Sequence, residues 1–147
     1  MKHRKECGNS IIEFSLLMPW LIFLFIGAMD WGFYADALIA TEAAARVACT
    51  YTSSSSSVVT DSTTACTYAL GQLAKMPNVG TSMSTCASGS SVTSSQPVGI
   101  SATSITGPDS NAAAQISVTY LTPVFIPMMG NLPTQLTITR TIKMRVL

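Results

Sequence analysis

The feature that most constrains this chain is an apolar run near its N-terminus, IIEFSLLMPWLIFLFIGAM, at residues 11–29. A helix of this length spans about 28 Å, which is close to the ~30 Å hydrocarbon core of a bilayer. Glu13 is the only charged residue inside the run, and Asp30 and Asp36 follow it. The rest of the sequence is too polar, and too often interrupted by serine, proline and glycine, to cross a membrane. The run therefore predicts a single membrane-spanning helix.

The composition fits one domain attached to such an anchor. The chain has 147 residues, of which 10% are charged, against roughly 25% in an ordinary soluble domain. Hydrophobic residues make up 48% of the chain, and much of the part beyond the anchor consists of serine, threonine and alanine. The net charge is +1, and no cluster of lysine and arginine predicts binding to nucleic acid.

The charges that flank the apolar run predict its orientation. Before it, MKHRKE carries three lysine or arginine residues and one glutamate, a net charge of +2 with histidine neutral. After it, MDWGFYADALIATE is acidic. Because positive charge beside a spanning helix stays on the cytoplasmic side, the N-terminus is expected in the cytoplasm and everything after Met29 outside.

A single helix is predicted from residue 9 to about residue 50, and Pro19 inside it is expected to kink it or loosen its hydrogen bonding. Glu42 and Arg46 have the i, i+4 spacing of a favourable ion pair. Beyond the anchor, small and apolar residues recur at helical spacing on one face: Phe33, Ala37, Leu38, Thr41, Ala44, Ala45 and Ala48. Such a face lets another backbone approach closely, either from this chain's own C-terminal part or from a partner.

After this helix the pattern predicts a loop, a short helix and an irregular segment. Five consecutive serines make 51–64 a loop or linker. A second helix is expected at 64–76, where Pro77 stops it. Residues 78–97 are rich in glycine, serine and threonine and are expected to be irregular.

The last third predicts strands. Alternating apolar residues at 98–102, 116–120 and 135–147 are typical of half-buried antiparallel strands. The expected fold is therefore α+β, with a long N-terminal helix, a short second helix and a three-stranded antiparallel sheet packed on the outer half of the long helix. The apolar loop at 121–134 contains three prolines. It is expected to cap the core of the sheet, and the alternative is a patch that faces a membrane or a partner.

The four cysteines predict one disulfide and no metal site. Cys7 precedes the anchor, whereas Cys49, Cys66 and Cys86 follow it on the side where disulfides form. We favour a Cys66–Cys86 bond, because a glycine- and proline-containing segment joins these two residues, and Cys49–Cys66 is the alternative. The sequence has no C-x-x-C pair, and its one histidine is His3.

The beginning of the sequence, MKHRKECG followed by NSIIEF, resembles the leader of a type IV prepilin. The resemblance implies that a prepilin peptidase cleaves after Gly8, so that Asn9 becomes the first residue and Glu13 the fifth. It also implies that Glu13 takes part in subunit assembly, as the partner of the Asn9 α-amino group of a neighbouring subunit. Asn9 departs from the phenylalanine or methionine that classical type IV pilins prefer after the cleavage point. The following residues, SLLMPWLIFLFIGAMDWGFYADALIATEAAARVA, resemble the N-terminal signature of TadE-like pseudopilins of the Flp, or tight-adherence, pilus. ISVTYLTPVF and LTITRTIKMRV resemble the closing strands of TadE-like domains.

This resemblance implies four parts: a leader at 1–8, a transmembrane half of the helix at 9–30, an exported extension at 31–50 and an exported α+β domain at 51–147. The major Flp pilins are much smaller, so the implied protein is a minor pilin or pseudopilin that initiates, caps or regulates a pilus in adhesion or secretion. Its implied partners are other pilin or pseudopilin subunits, the prepilin peptidase, the assembly platform of the inner membrane and membrane lipid. The resemblance implies no cofactor.

Three alternatives remain open at this point. An uncleaved single-pass envelope scaffold would keep Met1 and need no partner for Glu13. A secretory signal peptide could be cut before Leu38, although the apolar run is too long for a typical signal. An enzyme is the third class, but we expect none because the sequence contains no catalytic constellation of residues; His3 lies in the basic leader.

Overall fold

A computed structural model of the chain describes residues 7–123 and 135–147. It contains two helices and four strands: α1 (Cys7–Thr52), α2 (Ser62–Leu73), β1 (Ala87–Ser88), β2 (Val98–Thr106), β3 (Ala112–Leu121) and β4 (Thr137–Arg145). The chain forms two compact units, Met1–Ala35 and Asp36–Leu147. We call the second the C-terminal unit. Most of the predicted leader (residues 1–6) and most of the apolar loop (residues 124–134) lie outside the described residues.

The prediction of a three-stranded, fully antiparallel sheet was wrong in the number of strands and in one strand pairing. Four strands lie in the order β1-β2-β3-β4, and β1 pairs with β2 in parallel through Ala87–Gly99 and Ser88–Ile100. The β2–β3 and β3–β4 pairs are antiparallel, as predicted. The short β1 lies in a segment predicted to be irregular, because a strand of two residues is too short to show alternation.

The core of the C-terminal unit lies under one face of β3, the central strand. Ala114, Ile116, Val118 and Tyr120 alternate along it, and each is fully buried. Most of the predicted small-residue face of α1 is buried as well, whereas Phe33 is 44% exposed and Leu38 is half-buried. Its five buried residues are at most 4% exposed: Ala37, Thr41, Ala44, Ala45 and Ala48. Because alanine side chains are short, this part of α1 packs closely within its own unit.

Cys49 marks where α1 approaches the sheet. Its Sγ lies 3.7 Å from the carbonyl oxygens of both Ala114 on β3 and Ile142 on β4. At the end of the chain, the Leu147 backbone N–H donates to the Ser53 carbonyl, at 3.0 Å. The outer part of α1 therefore packs against the sheet, as the pattern predicted.

Helix α2 begins two residues earlier than predicted because Asp61 caps it. The Asp61 carboxylate accepts hydrogen bonds from the backbone N–H groups of Thr63 and Thr64, both at 3.1 Å. The Tyr51 hydroxyl donates to the same carboxylate at 3.2 Å, and its ring lies 4.9 Å from that of Tyr68. Asp61 thus fixes the start of α2 and joins it to the end of α1.

We expect Asp61→Ala to lower the thermal midpoint of the protein at pH 7, since it leaves two backbone donors without the cap. The hydrogen bonds from Thr64 and, more weakly, from Tyr51 and Thr63 lower the pKa of Asp61. A carboxyl with a lowered folded pKa stabilises the protein above its unfolded pKa of ~3.9, and this stabilisation is lost as the pH falls through the folded pKa.

The matched control is Asp61→Asn, which keeps an oxygen acceptor for the cap and removes the charge. Thermal unfolding followed by circular dichroism between pH 7 and pH 3 should show the wild type losing its advantage over Asp61→Asn at the acidic end. A constant difference across this range would show that the carboxylate charge does not stabilise the cap.

A second prediction concerns Gly99, where β2 meets the turn after β1. A Cβ atom at Gly99 would lie 2.3 Å from the Gly89 carbonyl oxygen and 3.0 Å from Val92 Cγ1. The Gly89 N–H donates to the Ile100 carbonyl at 2.9 Å, so this backbone is held in place. We expect Gly99→Ala to reduce the free energy of unfolding by about 1–3 kcal/mol, as overpacking does elsewhere.

Gly71→Ala is the matched control, because a Cβ atom at this helical position meets nothing within 4 Å. There the same change should stabilise the protein by up to about 1 kcal/mol, through helix propensity. Chemical unfolding of the full chain in a mild detergent measures both. Equal effects of the two substitutions would contradict the predicted contact at Gly99.

The segment after α2 is tied to the central strand by Asn78. The Tyr120 hydroxyl donates to Asn78 Oδ1, and Asn78 Nδ2 donates to the Leu121 carbonyl at 2.8 Å. Burial, with a smaller contribution from the Asp36 carboxylate, raises the pKa of Tyr120 to about 12. The phenol therefore stays a neutral donor throughout the physiological range, and the tie does not depend on pH there.

Candidate processing and assembly site

The residues predicted to carry processing and assembly lie at the start of α1. Among the described residues α1 runs from Cys7, so Gly8 and Asn9 lie within this helix. Glu13 comes four residues after Asn9, about one turn further along, and its side chain is exposed. The spacing of four therefore brings residue 9 and Glu13 to the same side of the helix.

The apolar run is exposed all round the helix. Its side chains at 11–29 include Leu16 at 80% exposed, Ile11 at 70% and Phe25 at 68%. The helix is long and apolar enough to cross a membrane, with a mean hydropathy of 2.1 over its most apolar window. Exposed apolar patches on monomeric soluble proteins rarely exceed a few hundred Å². This surface is compatible with a membrane anchor or with cover by other apolar helices.

Aromatic residues follow the apolar run at its C-terminal end. Trp31 and Tyr34 have ring centroids 6.0 Å apart, and Trp31 is 72% exposed. They come directly after Asp30, the first acidic residue beyond the run. Tryptophan and tyrosine are enriched where a spanning helix leaves the hydrocarbon, because one end of each ring system is apolar and the other polar. The order of residues fits the predicted exit from a bilayer.

Pro19 lies inside α1, which continues on both sides of it. Proline has no N–H group, so the carbonyl of Ser15 receives no hydrogen bond from residue 19. The Ser15 hydroxyl donates to the Ile12 carbonyl at 2.8 Å, one turn before this gap. The structure keeps α1 continuous through this position, and the kink or loosened turn at Pro19 stays a prediction.

The cysteines beyond the anchor form one disulfide. Cys66 on α2 is bonded to Cys86, just before β1, with a Cα–Cα distance of 5.9 Å. Cys49 is free and buried, and burial raises the pKa of its thiol. Of the two pairings considered from the sequence, the structure has Cys66–Cys86. Within residues 7–123 and 135–147, no three His, Cys, Asp or Glu side chains come together in a group that could hold a metal ion.

The predicted ion pair on α1 is present, whereas other contacts were missed. Arg46 Nη2 lies 2.6 Å from Glu42 Oε1, but both side chains are well exposed, and such pairs contribute little to stability. The cap at Asp61 was missed, although an aspartate followed by serine and threonine is a known helix-start signal. No local sequence pattern predicts the hydrogen bonds of Asn78 with Tyr120 and Leu121, because these partners lie 42 and 43 positions away.

Comparison of the sequence with protein-family models gives a match in the N-terminal part of the chain. The family described as TadE-like protein matches residues 8–49. Neither the curated proteins nor the solved structures gave a match to the chain. The matched segment contains the apolar run, its exit residues and the small-residue face of α1. The resemblance predicted from the sequence is therefore confirmed for residues 8–49, which match the TadE-like family.

Proposed function

We propose that this chain is a minor pilin or pseudopilin of a Tad-type pilus, which is processed by a prepilin peptidase and assembled through α1. The observation that carries the proposal is that the family match at residues 8–49 coincides with the helix whose apolar surface is exposed. A single helix with this surface can lie in a bilayer before assembly and among other apolar helices after it. The subunit would then initiate, cap or regulate a pilus that acts in adhesion or secretion.

In this proposal the N-terminus is cytoplasmic and the C-terminal unit lies outside the inner membrane, or within an extracellular pilus. The charge difference across the apolar run supports this orientation. The Cys66–Cys86 disulfide supports it independently, because disulfides persist in oxidising compartments and are rare in the cytosol. The two observations come from different parts of the chain, and both support a C-terminal unit outside the inner membrane.

The proposed assembly contact is an ion pair at the start of α1. Cleavage after Gly8 would leave Asn9 with a free α-amino group, which is cationic at neutral pH because its ordinary pKa is about 7.7–8.0. The Glu13 carboxylate of one subunit would pair with the Asn9 amine of its neighbour among the packed helices. The pair would set the axial register, and the apolar surface would supply most of the association energy. The partners are other pilin subunits, the peptidase and the assembly platform in the inner membrane.

The size of the C-terminal unit supports a minor role. It includes 112 residues, Asp36–Leu147, with its own buried core, four-stranded sheet and disulfide. A subunit of this size adds a folded domain at each position that it occupies, which suits a place at the base or tip more than a thin shaft made of helices. No cofactor or catalytic step is part of this role.

The first experiment is to measure the intact mass and the N-terminal sequence of the protein from membranes of cells with and without the prepilin peptidase. A chain that begins at Asn9 only when the peptidase is present supports the proposal. A chain that begins at Met1 in both strains would identify an uncleaved single-pass anchor. A chain that begins at Leu38 would identify a secreted domain without the helix, and either of these results would overturn the proposed function.

A further inference from the structure

Strand β4 is the last strand of the sheet, and one of its edges is open as far as residues 7–123 and 135–147 show. Its nine residues pair with β3 along one side, from Leu121–Thr137 to Ala113–Arg145. Among the described residues, no other backbone group bonds to residues 137–145. Its polar side chains are exposed: Thr137, Thr139, Arg140, Thr141, Lys143 and Arg145. An open edge of this kind is a template for a further strand.

Positive charge is concentrated on this strand. Arg140, Lys143 and Arg145 are three of the five lysine and arginine residues between Asp36 and the end of the chain, and β4 has no acidic residue. Arg145 Nη1 lies 3.4 Å from Asp109 Oδ2, with both side chains exposed. Arg140 and Lys143 have no ion-pair partner within residues 7–123 and 135–147. The edge thus carries two cations without an ion-pair partner in the described part of the chain, although one of them, Arg140, acts on Glu42, whose pKa is lowered mainly by Arg46 and further by Arg140.

The register places these charges on both faces of the sheet. Lys143 is opposite Gln115, on the face that carries the Ser117–Thr141 hydroxyl pair. Arg140 is opposite Val118, whose side chain is buried in the core face. A strand that joined β4 would therefore meet a cation above and a cation below the sheet. Opposite charges directly across a strand pair are favourable and like charges are unfavourable.

The same charges argue against a second copy of this chain as the occupant. Two β4 strands paired edge to edge would place three cations from each copy along one short ladder. The open part of β2 provides a contrast inside the molecule. There, SATSIT at residues 101–106 lies beyond the two positions that β1 covers and has no charged residue. The charge is thus specific to the β4 edge.

We propose that the open edge of β4 binds an extended acidic segment of a partner protein, which adds as a further strand to the sheet. The backbone groups of β4 supply hydrogen bonds that are independent of sequence, and Arg140 and Lys143 select acidic side chains on opposite faces of the added strand. This proposal does not depend on cleavage after Gly8 or on a role in a pilus. It concerns the C-terminal unit alone.

The probe is a nine-residue peptide of threonine with glutamate at every third position, so that successive glutamates lie on opposite faces of a strand, as Arg140 and Lys143 do. It is blocked at both ends and labelled for fluorescence anisotropy. The full chain in a neutral detergent should bind it more tightly than the same peptide with lysine in place of glutamate. Binding should weaken when the salt concentration rises from about 50 to 500 mM, because exposed charges are screened. Hydrogen exchange followed by mass spectrometry should show slower exchange in residues 137–145 when the acidic peptide is present.

Two substitutions on β4, one control substitution and one control peptide distinguish binding at the β4 edge from non-specific electrostatic attraction to the chain. Arg140→Thr and Lys143→Thr should each weaken binding of the acidic peptide by about two- to fivefold, the effect of one exposed ion pair. Lys75→Thr removes an exposed cation away from the sheet and should leave binding unchanged. The same acidic sequence built from alternating D- and L-residues keeps the charge but cannot form a regular strand, and it should not protect residues 137–145.

Several outcomes would overturn the proposal. These are no binding of the acidic peptide at about 1 mM, equal binding of the acidic and basic peptides, or equal protection by the D,L-peptide. Protection of residues 137–145 that depends on protein concentration without peptide would identify a second copy as the occupant instead. As a control for folding, hydrogen exchange of the unliganded Arg140→Thr and Lys143→Thr variants should match that of the wild type.

Discussion

Glu13→Ala is expected to leave cleavage after Gly8 unchanged and to abolish incorporation of the subunit into a pilus. Under the proposed function, cleavage would depend on the leader and on the residues around Gly8, whereas Glu13 would act after cleavage, as the partner of the new Asn9 amine. Removing one partner of a buried ion pair typically costs about 3–5 kcal/mol, because the other charge is left unpaired. This corresponds to a loss of incorporation of more than about a hundredfold at each contact.

The measurement compares the fraction of mature protein in sheared pili and in membranes, by immunoblotting against the C-terminal unit. Ser15→Ala is the matched control, since it removes an exposed polar group in the same part of the helix, whose hydroxyl bonds only to the Ile12 carbonyl. Glu13→Asp keeps the charge on a shorter side chain and should retain part of the function. Wild-type incorporation of Glu13→Ala would show that apolar packing alone assembles α1.

An outcome in which Glu13→Ala blocks cleavage has a different meaning. Glu13 would then be part of what the peptidase recognises, and the assembly role would lack support. Intact mass of each variant separates these cases, because the unprocessed chain retains residues 1–8. The carboxylate is one helical turn from residue 9, so a pair within one subunit is also within reach. Mixing Glu13→Ala subunits with wild-type subunits distinguishes a pair within one chain from a pair between chains.

Removal of the Cys66–Cys86 bond is the second change from which we expect a large effect, a loss of thermal stability. The bond closes a loop with a sequence separation of 20. Removing such a link increases the entropy of the unfolded chain, which destabilises the folded state by about 3 kcal/mol. For a unit of this size the thermal midpoint should fall by roughly 10 °C or more. The loop contains Pro77 and Asn78, so its mobility should also weaken the tie to Tyr120.

The variant to measure is Cys66→Ser/Cys86→Ser, with thermal unfolding followed by circular dichroism in detergent. Wild-type protein treated with a reductant provides an internal control, because the reductant breaks the same disulfide without replacing any side chain. Both should show a similar loss. Labelling of Cys49 with a thiol reagent gives a second readout, because its thiol is buried and should react only when the C-terminal unit opens. A change in midpoint below about 3 °C would contradict the prediction.

The elements that the sequence predicted correctly are those with strong local periodicity. The alanine face of α1 repeats with the period of a helix, and β2, β3 and β4 alternate with a period of two. Each of these patterns records which side of an element is buried. The family resemblance rests on the same N-terminal residues, and the match at 8–49 confirms it there. Cleavage at Gly8, pairing at Glu13 and the place in a pilus remain predictions.

The sequence alone determined an N-terminal apolar helix and an α+β domain that follows it, because hydrophobic pattern and helix length depend only on neighbouring residues. Tertiary structure decided the contacts that join distant segments. The parallel pairing of β1 with β2 requires a residue without a side chain at position 99, which is glycine. The segment after α2 is held by a hydrogen bond between Asn78 and Tyr120, which lie 42 residues apart in the sequence. The sequence showed the positive charges of β4, but only the strand order showed that they line an open edge of the sheet. Contacts between distant residues leave no local period, so only the fold identifies them.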